Sequence, residues 1–195
     1  MTGVSHPFVS HMESCFGEIV RGWRVSDQML EKTAFKIDVV LCQGGAVEGV
    51  TVVSTVGFSH FLPKADGSTK QLRQELFLMM RDGQFDPGMP AIFGQILDRQ
   101  LIAQKGIMRG EVIHRPGKFF GSGRFVAMYA TLPVYYPKEK WLFHDNKLGN
   151  ILLCSLLPIM GNELAFINRH GHVKFDEVLE YVQFDPFDLN RPSFL

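Results

Sequence analysis

The sequence predicts an α+β fold in which a mixed central β-sheet is flanked by helices on both faces. Three segments are apolar at nearly every position, which is typical of strands buried on both sides. They are Leu76–Met80, Phe125–Thr131 and Ile151–Ile159. Such strands need a covering layer on each face, and helical patterns occur near the start, in the middle and near the end of the chain. A length of 195 residues with 46% hydrophobic content predicts one domain over residues 1–195.

The first half of the pattern combines one helix with two strands. From Pro7 to Trp23, apolar residues recur every three or four positions, which predicts an amphipathic helix. Apolar and polar residues then alternate over Phe35–Leu41, which predicts a half-buried strand. The segment Val47–Thr55 is predicted to be its neighbour in the sheet.

A second helix and a short strand are predicted in the middle of the chain. Pro90 stands at a helix entrance, apolar residues follow at helical spacing, and Gly106 is the expected stop. We expect a short strand at Gly110–Ile113 and a loop at Arg115–Gly123.

The chain is predicted to end with two helices and an irregular tail. A short helix is expected at Asn162–Arg169, and Phe175 begins the apolar face of a last helix. The tail Phe184–Leu195 has no helical or strand pattern.

Charge and cysteine content limit the classes of partner and the compartment. Lys plus Arg (20) balances Asp plus Glu (20), so there is no electrostatic reason to expect a nucleic acid or an anionic membrane as partner. The 3 cysteines are odd in number and far apart, which disfavours disulfides and a zinc site. With no signal-peptide pattern at the N-terminus, these features predict a cytoplasmic protein.

A hydrolase is one alternative that the residues leave open. The segment Gly57–Phe61 resembles a nucleophile elbow but lacks the second glycine. Ser59 and His60 are adjacent in sequence, and residues of an extended chain seldom face their neighbours. A triad would therefore need His114 or His144, with Asp145, brought together by the fold.

Metal and cofactor sites are not predicted. The 7 histidines include the pair around Gly171, but no Asp, Glu or Cys stands at a ligand spacing near it. We therefore expect exposed loop histidines, no bound metal and no cofactor.

Three glutamates, Glu75, Glu111 and Glu163, border apolar elements. A carboxylate in such a place needs water or a hydrogen-bond partner. Each is explained by a structural role at a strand edge or helix start. The alternative is recognition of a donor on a bound partner, and the three are our candidate partner-binding residues.

Short motifs in a fixed order resemble the Suppressor of fused family. They are Thr55–Ser59, Gln74–Leu78, Pro90–Ala91, Gly106 with Gly110–Val112, the strand before Pro133, Leu156–Ile159 with Glu163–Leu164, Asp185–Pro186 and Arg191–Ser193. Each motif is weak alone, but together they span residues 48–193. The resemblance covers most of the chain.

The resemblance implies a mixed sheet flanked by helices and no enzymatic activity. Animal members are two-domain proteins that bind transcription factors by gripping an extended peptide. Glu111 stands about where an animal member presents an acidic side chain to its peptide, while the acidic position near Leu132 is not matched.

Single-domain bacterial members look like immunity proteins that neutralise a cognate toxin by tight binding. We therefore expect a non-enzymatic protein-binding domain whose partner is a toxin domain or a peptide. The alternative within this class is a regulator or scaffold for an endogenous protein.

Overall fold

The fold is a mixed sheet covered by helices, seen in a computed structural model that describes residues 7–25, 35–63, 71–120 and 123–195, with the backbone alone at 115–118. The strands are β1 (Gly17–Arg24), β2 (Asp38–Gly44), β3 (Val50–Val56), β4 (Arg73–Arg81), β5 (Val112–Phe119), β6 (Phe125–Thr131), β7 (Leu142–Asp145) and β8 (Gly149–Met160). The helices are α1 (Pro7–Phe16), α2 (Met89–Ala103), α3 (Lys138–Trp141), α4 (Gly161–His170) and α5 (His172–Tyr181), with a 3₁₀ turn at Phe58–His60.

The strands form one 8-stranded sheet in the order β1-β2-β3-β4-β8-β6-β5. Only β4 and β8 pair in parallel among these neighbours, and the other pairs are antiparallel. β7 pairs with the start of β8 on the edge opposite β4. The predicted mixed sheet of an α+β fold is therefore confirmed.

Helices cover both faces of the sheet, as predicted. On the first face, α2 packs against the alternate apolar residues of β2, β4 and β8, and the buried residues form one large cluster. The second face carries two separate clusters. One joins α1 to β2, β3 and β4, and the other joins α4 and α5 to β6 and the second half of β8.

The predicted helix over Pro7–Trp23 is wrong in its second half. Helix α1 ends at Phe16, and the chain continues as the edge strand β1. Gly17 makes this turn possible, because its φ is +87° and a Cβ there would lie 1.9 Å from the Gln43 carbonyl oxygen. Trp23 therefore lies in a strand, where its ring stacks on Phe85.

Two predicted boundaries in the middle of the chain are also wrong. Helix α2 ends at Ala103, and Gln104 rather than Gly106 adopts the left-handed conformation after it (φ 53°). Strand β5 occupies most of the predicted loop Arg115–Gly123, of which residues 121–122 lie outside the described chain. Strand β6 has the predicted bounds.

The helices of the described part of the chain are short, and the longest has 15 residues. None of them is both long enough and apolar enough to cross a bilayer.

Candidate functional site

The sheet opens where the neighbouring strands β4 and β8 stop pairing and separate. Their parallel ladder joins Arg73–Phe77 to Ile151–Ser155 and then ends. Beyond it, β4 pairs with β3 and β8 pairs with β6. The C-terminal tail crosses the opening, where the Arg81 amide donates to the Phe187 carbonyl (2.9 Å).

A cavity of about 350 Å³ lies over this opening, between the two clusters of the second face. We call it the groove. It is lined by Met79, Arg109, Thr131, Leu132, Val134, Tyr135, Ser155, Leu156, Leu157, Asp176, Leu179, Glu180, Phe184, Pro186 and Phe187. Its lining is thus mostly apolar, with a small number of polar groups, as in small-ligand and docking sites.

Two hydroxyl groups lie on the floor of the groove. Thr131 of β6 and Ser155 of β8 are register partners, so their Cβ atoms are about 5 Å apart. They lie on the same face as Tyr129 and Leu157, which are two residues away on the respective strands. Within the described chain neither hydroxyl makes a hydrogen bond, and both residues are half-buried, so the hydroxyls are open to the groove.

The charged side chains of the groove divide into a pair and a single group. The Asp176 carboxylate accepts from the Tyr129 hydroxyl (2.6 Å) and from Arg109 Nη2 (2.9 Å). Burial, and then the hydrogen bond to Asp176, raise the pKa of Tyr129 far above its ordinary value. Glu180 on α5 is exposed and has no ion-pair partner among the described residues. The groove therefore carries one uncompensated negative charge.

Apolar side chains stand exposed at the mouth of the groove. Val134 is 75% exposed and Tyr135 is 50% exposed. The Tyr135 ring packs edge-on against Phe187 of the tail, with 4.8 Å between ring centroids, so the side chain is held in place. We call these two residues the groove mouth.

Glu75, the first candidate glutamate, lies in the interior of the domain. Its carboxylate accepts from the Thr55 hydroxyl (2.6 Å) and from the backbone amides of Gly57 (2.9 Å), Phe58 (3.2 Å) and Ser59 (2.9 Å). Burial raises the pKa of the Glu75 carboxyl, and these hydrogen bonds offset part of that rise. The carboxylate fixes the 3₁₀ turn to β4 and has no exposure to a partner (0%).

Glu163 is also buried, and the C-terminal tail supplies its main partner. Arg191 donates to both carboxylate oxygens (2.6 and 2.9 Å), and the Met160 amide donates a further bond (2.9 Å). The Arg191 guanidinium is surrounded by three rings, Phe125, Phe184 and Phe194, at 4.9–5.6 Å. Glu163 thus holds the tail in the fold.

Glu111 is the one candidate glutamate near the surface, with its side chain 25% exposed. Its carboxylate accepts from the Met108 amide (3.1 Å) and lies 3.9 Å from the Lys105 ammonium. Arg109 of the same turn lines the groove. The Glu111 backbone pairs with Ala130, whose side chain belongs to the cluster under α2, so the Glu111 side chain lies on the α2 side of the sheet and not in the groove. Its role toward a partner stays a prediction.

The residues of the hydrolase alternative are not brought together. Ser59 follows β3 and is buried, whereas His114 is on β5 at the far edge of the sheet, four strand spacings or about 19 Å away. Asp145 accepts from the amides of Lys147 and Leu148 in its own turn (both 2.8 Å). His60 stacks on Phe35.

The cysteines are all buried and free of disulfides. Burial raises the pKa of the thiols of Cys42 and Cys154, each to about 12, which disfavours the reactive thiolate. Among the described residues, no group of three or more His, Cys, Asp or Glu side chains has the geometry to hold a metal ion.

Comparison with known proteins identifies the family. The model of the Suppressor of fused protein (SUFU) family matches residues 34–192. The chain belongs to this family, as its motifs predicted. No curated protein sequence matches the chain.

Solved structures share the fold. A structure described as a SUFU homologue from Neisseria gonorrhoeae has a TM-score of 0.75 at 17% identity, covering 96% of this chain and 94% of that one. The Sufu–Fu complex gives 0.64 at 13%, covering 95% and 89%. Drosophila Suppressor of Fused gives 0.62 at 12%, and the match covers 95% of this chain but 50% of that one.

The groove residues Thr131, Ser155 and Glu180 were not among the candidates from sequence. Ser155 carries a weak signal, because it interrupts an otherwise apolar strand. The register that places it opposite Thr131 is not visible in the sequence. Glu180 has the pattern of any exposed residue on an amphipathic helix.

Proposed function

We propose that this chain is a protein-binding domain without enzymatic activity, and that in a bacterial cytoplasm it neutralises a cognate toxin by covering the toxin's working surface. The observation that carries the proposal is the groove mouth, where Val134 and Tyr135 are exposed beside an apolar groove. Exposed apolar side chains around a concavity are typical of docking surfaces, and tyrosine is enriched among residues that dominate binding energy.

Membership of the Suppressor of fused family supports a protein-binding function. One structure with this fold is described as the Sufu–Fu complex, so that relative assembles with another protein. In the proposal, the partner of this chain rests on the groove mouth. Glu111, beside the end of α2, is a separate proposed contact that the family resemblance suggests, whereas the partners of Glu75 and Glu163 are supplied by the chain itself.

Net charge limits how the toxin is recognised. The chain has a formal net charge of +0, so steering by overall charge does not operate. The proposed interface therefore depends on apolar contact at the groove mouth, with local charges such as Glu180 setting orientation.

A matched pair of variants tests which face binds. Val134 at the groove mouth and Ile102 on α2 are both 75% exposed, but they lie on opposite faces of the sheet. We expect Val134→Glu to weaken binding of a toxin that the chain neutralises about tenfold or more. Ile102→Glu should leave the affinity unchanged, and neither variant should change the melting temperature.

Cell survival tests the toxin itself. Cells that express the candidate toxin should grow when they also express the wild-type chain or Ile102→Glu, and should die with Val134→Glu. Survival without the chain would contradict the immunity role. Tight binding to an endogenous protein, with no effect on any toxin, would assign the chain to the regulator or scaffold class.

A further inference from the structure

The groove has the polar layout of a small-ligand site in addition to its exposed mouth. Its volume of about 350 Å³ falls in the range of small-molecule sites, about 300–1,000 Å³. The tail forms part of its wall with Phe184, Pro186 and Phe187, and the Arg81 amide holds the tail there through the Phe187 carbonyl (2.9 Å). A cavity of this volume holds a compact molecule, whereas a long chain would extend beyond it.

Polar groups without partners indicate what the groove recognises. The Thr131 and Ser155 hydroxyls are adjacent across two strands and make no hydrogen bond in the described chain. Both residues are half-buried, so their hydroxyls are open to the groove and can bond to water or to a ligand that displaces it. The floor of the groove is thus suited to a hydroxyl group of a ligand.

The unpaired charge of the groove determines which charge the other end of a ligand carries. Arg109 and Asp176 neutralise each other at 2.9 Å, which leaves the Glu180 carboxylate as the unpaired charge of the groove lining. A cation is therefore favoured and an anion is disfavoured. Met79, Leu157 and Leu179 lie among the apolar residues between these polar groups.

We infer that the groove binds a free small amine with an apolar, ring-sized body and a hydroxyl at the end opposite the amine. The hydroxyl contacts Thr131 and Ser155, the body packs on the apolar lining, and the ammonium group faces Glu180. This site is additional to the proposed toxin binding, and it does not require a toxin to be present.

Isothermal titration calorimetry of the purified chain with three related probes tests the inference. Tyramine carries ring, hydroxyl and amine, phenethylamine lacks the hydroxyl, and 4-hydroxyphenylacetate has a carboxylate in place of the amine. Wild type should bind tyramine about threefold more tightly than phenethylamine, which is the value of one neutral hydrogen bond. The carboxylate should bind more weakly than both amines.

Variants of the groove residues test which side chains contact the amine and the hydroxyl of tyramine. Glu180→Gln should weaken both amines about fivefold, as expected for a solvated ion pair, and should reduce the discrimination against the carboxylate. The double variant Thr131→Val with Ser155→Ala should bind tyramine no better than phenethylamine. Glu177→Gln on the same helix is the control, because Glu177 pairs with Lys174 and does not line the groove.

Several results would overturn the inference. They are no tyramine binding by the folded wild-type chain, equal amine affinity in Glu180→Gln, and a retained hydroxyl preference in the double variant. The capped peptide acetyl-Gly-Tyr-Lys-Gly-amide offers the same ring, hydroxyl and amine within a chain, and we expect it not to bind. If it binds as tightly as tyramine, the ligand is a protein segment and not a free amine.

The probes also separate this inference from the proposed function. Calorimetry with tyramine uses the isolated chain and involves no partner protein. Binding of tyramine with no toxin protection would leave the small-ligand site in place and remove the immunity role. Toxin protection with no tyramine binding would support the immunity role and remove the small-ligand site.

Discussion

The buried carboxylates and the groove hydroxyls differ in whether the chain itself supplies their hydrogen-bond partners. Glu75 and Glu163 are fully buried, and each accepts at least four hydrogen bonds from the chain. Thr131 and Ser155 lie on the same sheet but have no partner in the described chain. Polar groups that hold the fold are satisfied within it, whereas half-exposed hydroxyls at a cavity are available to bond to water or to a ligand.

The largest effect is expected at Glu163. Glu163→Gln leaves the Arg191 guanidinium without its counter-charge at a site where both side chains are at most 3% exposed. Breaking a buried ion pair costs about 3–5 kcal/mol, so urea unfolding should show a loss of this size. Glu177→Gln removes an exposed pair and should cost less than about 0.5 kcal/mol. A similar small loss for both variants would contradict a structural role of Glu163.

Glu75 should show a smaller loss that depends on pH. Glu75→Gln replaces one accepting oxygen with an amide nitrogen that only donates, which leaves buried donors of the 3₁₀ turn without an acceptor at a cost of about 1–3 kcal/mol. Because the pKa of the folded Glu75 is raised above its ordinary value of 4.5, the folded state holds this proton more tightly than the unfolded state. The stability it confers is full below pH 4.5 and is lost as pH rises through the raised pKa.

Unfolding of wild type and Glu75→Gln across acid pH measures this directly. The difference in the free energy of unfolding should be greatest at low pH and should decrease as pH rises. A difference that increases with pH would mean that the hydrogen bonds from Thr55, Gly57 and Ser59 outweigh burial.

Glu111 should affect binding more than stability. Glu111→Ala removes the bond from the Met108 amide, for which about 0.5–1.5 kcal/mol of stability is expected. Its affinity for a protein partner should fall by a larger factor than this loss implies. Unchanged partner affinity together with a lower melting temperature would assign Glu111 to structure alone.

The groove hydroxyls should have the smallest effect on stability. Thr131→Val with Ser155→Ala removes two groups that make no hydrogen bond in the fold. Thermal unfolding should show a change within about 0.5 kcal/mol, or a gain. A loss comparable to that of Glu75→Gln would mean that the hydroxyls serve the fold, and the contrast between the two kinds of polar group would disappear.

The sequence patterns predicted those features of the fold that depend only on residues close together in the sequence. The bounds of β6 follow from a run of apolar residues, and the C-terminal helix α4 follows from local spacing. The end of α1 does not, because Gly17 is required by the Gln43 carbonyl of another strand. The groove was missed for the same reason, since it arises where two parallel strands separate.

The glutamates illustrate the limit for site residues. Sequence identified Glu75, Glu111 and Glu163 as carboxylates beside apolar elements, which is correct for all three. Whether the partner is internal or external depends on groups distant in sequence, such as Arg191 for Glu163. Tertiary contacts of this kind leave no local pattern.

Hydrogen–deuterium exchange of the chain with and without a candidate toxin tests the central claim most directly. We predict added protection at the groove mouth, in the loop that carries Val134 and Tyr135, and in the turn that carries Arg109. The exposed side of α2 around Ile102 should be unaffected. Protection confined to α2, or none on any described segment, would contradict binding at the groove face.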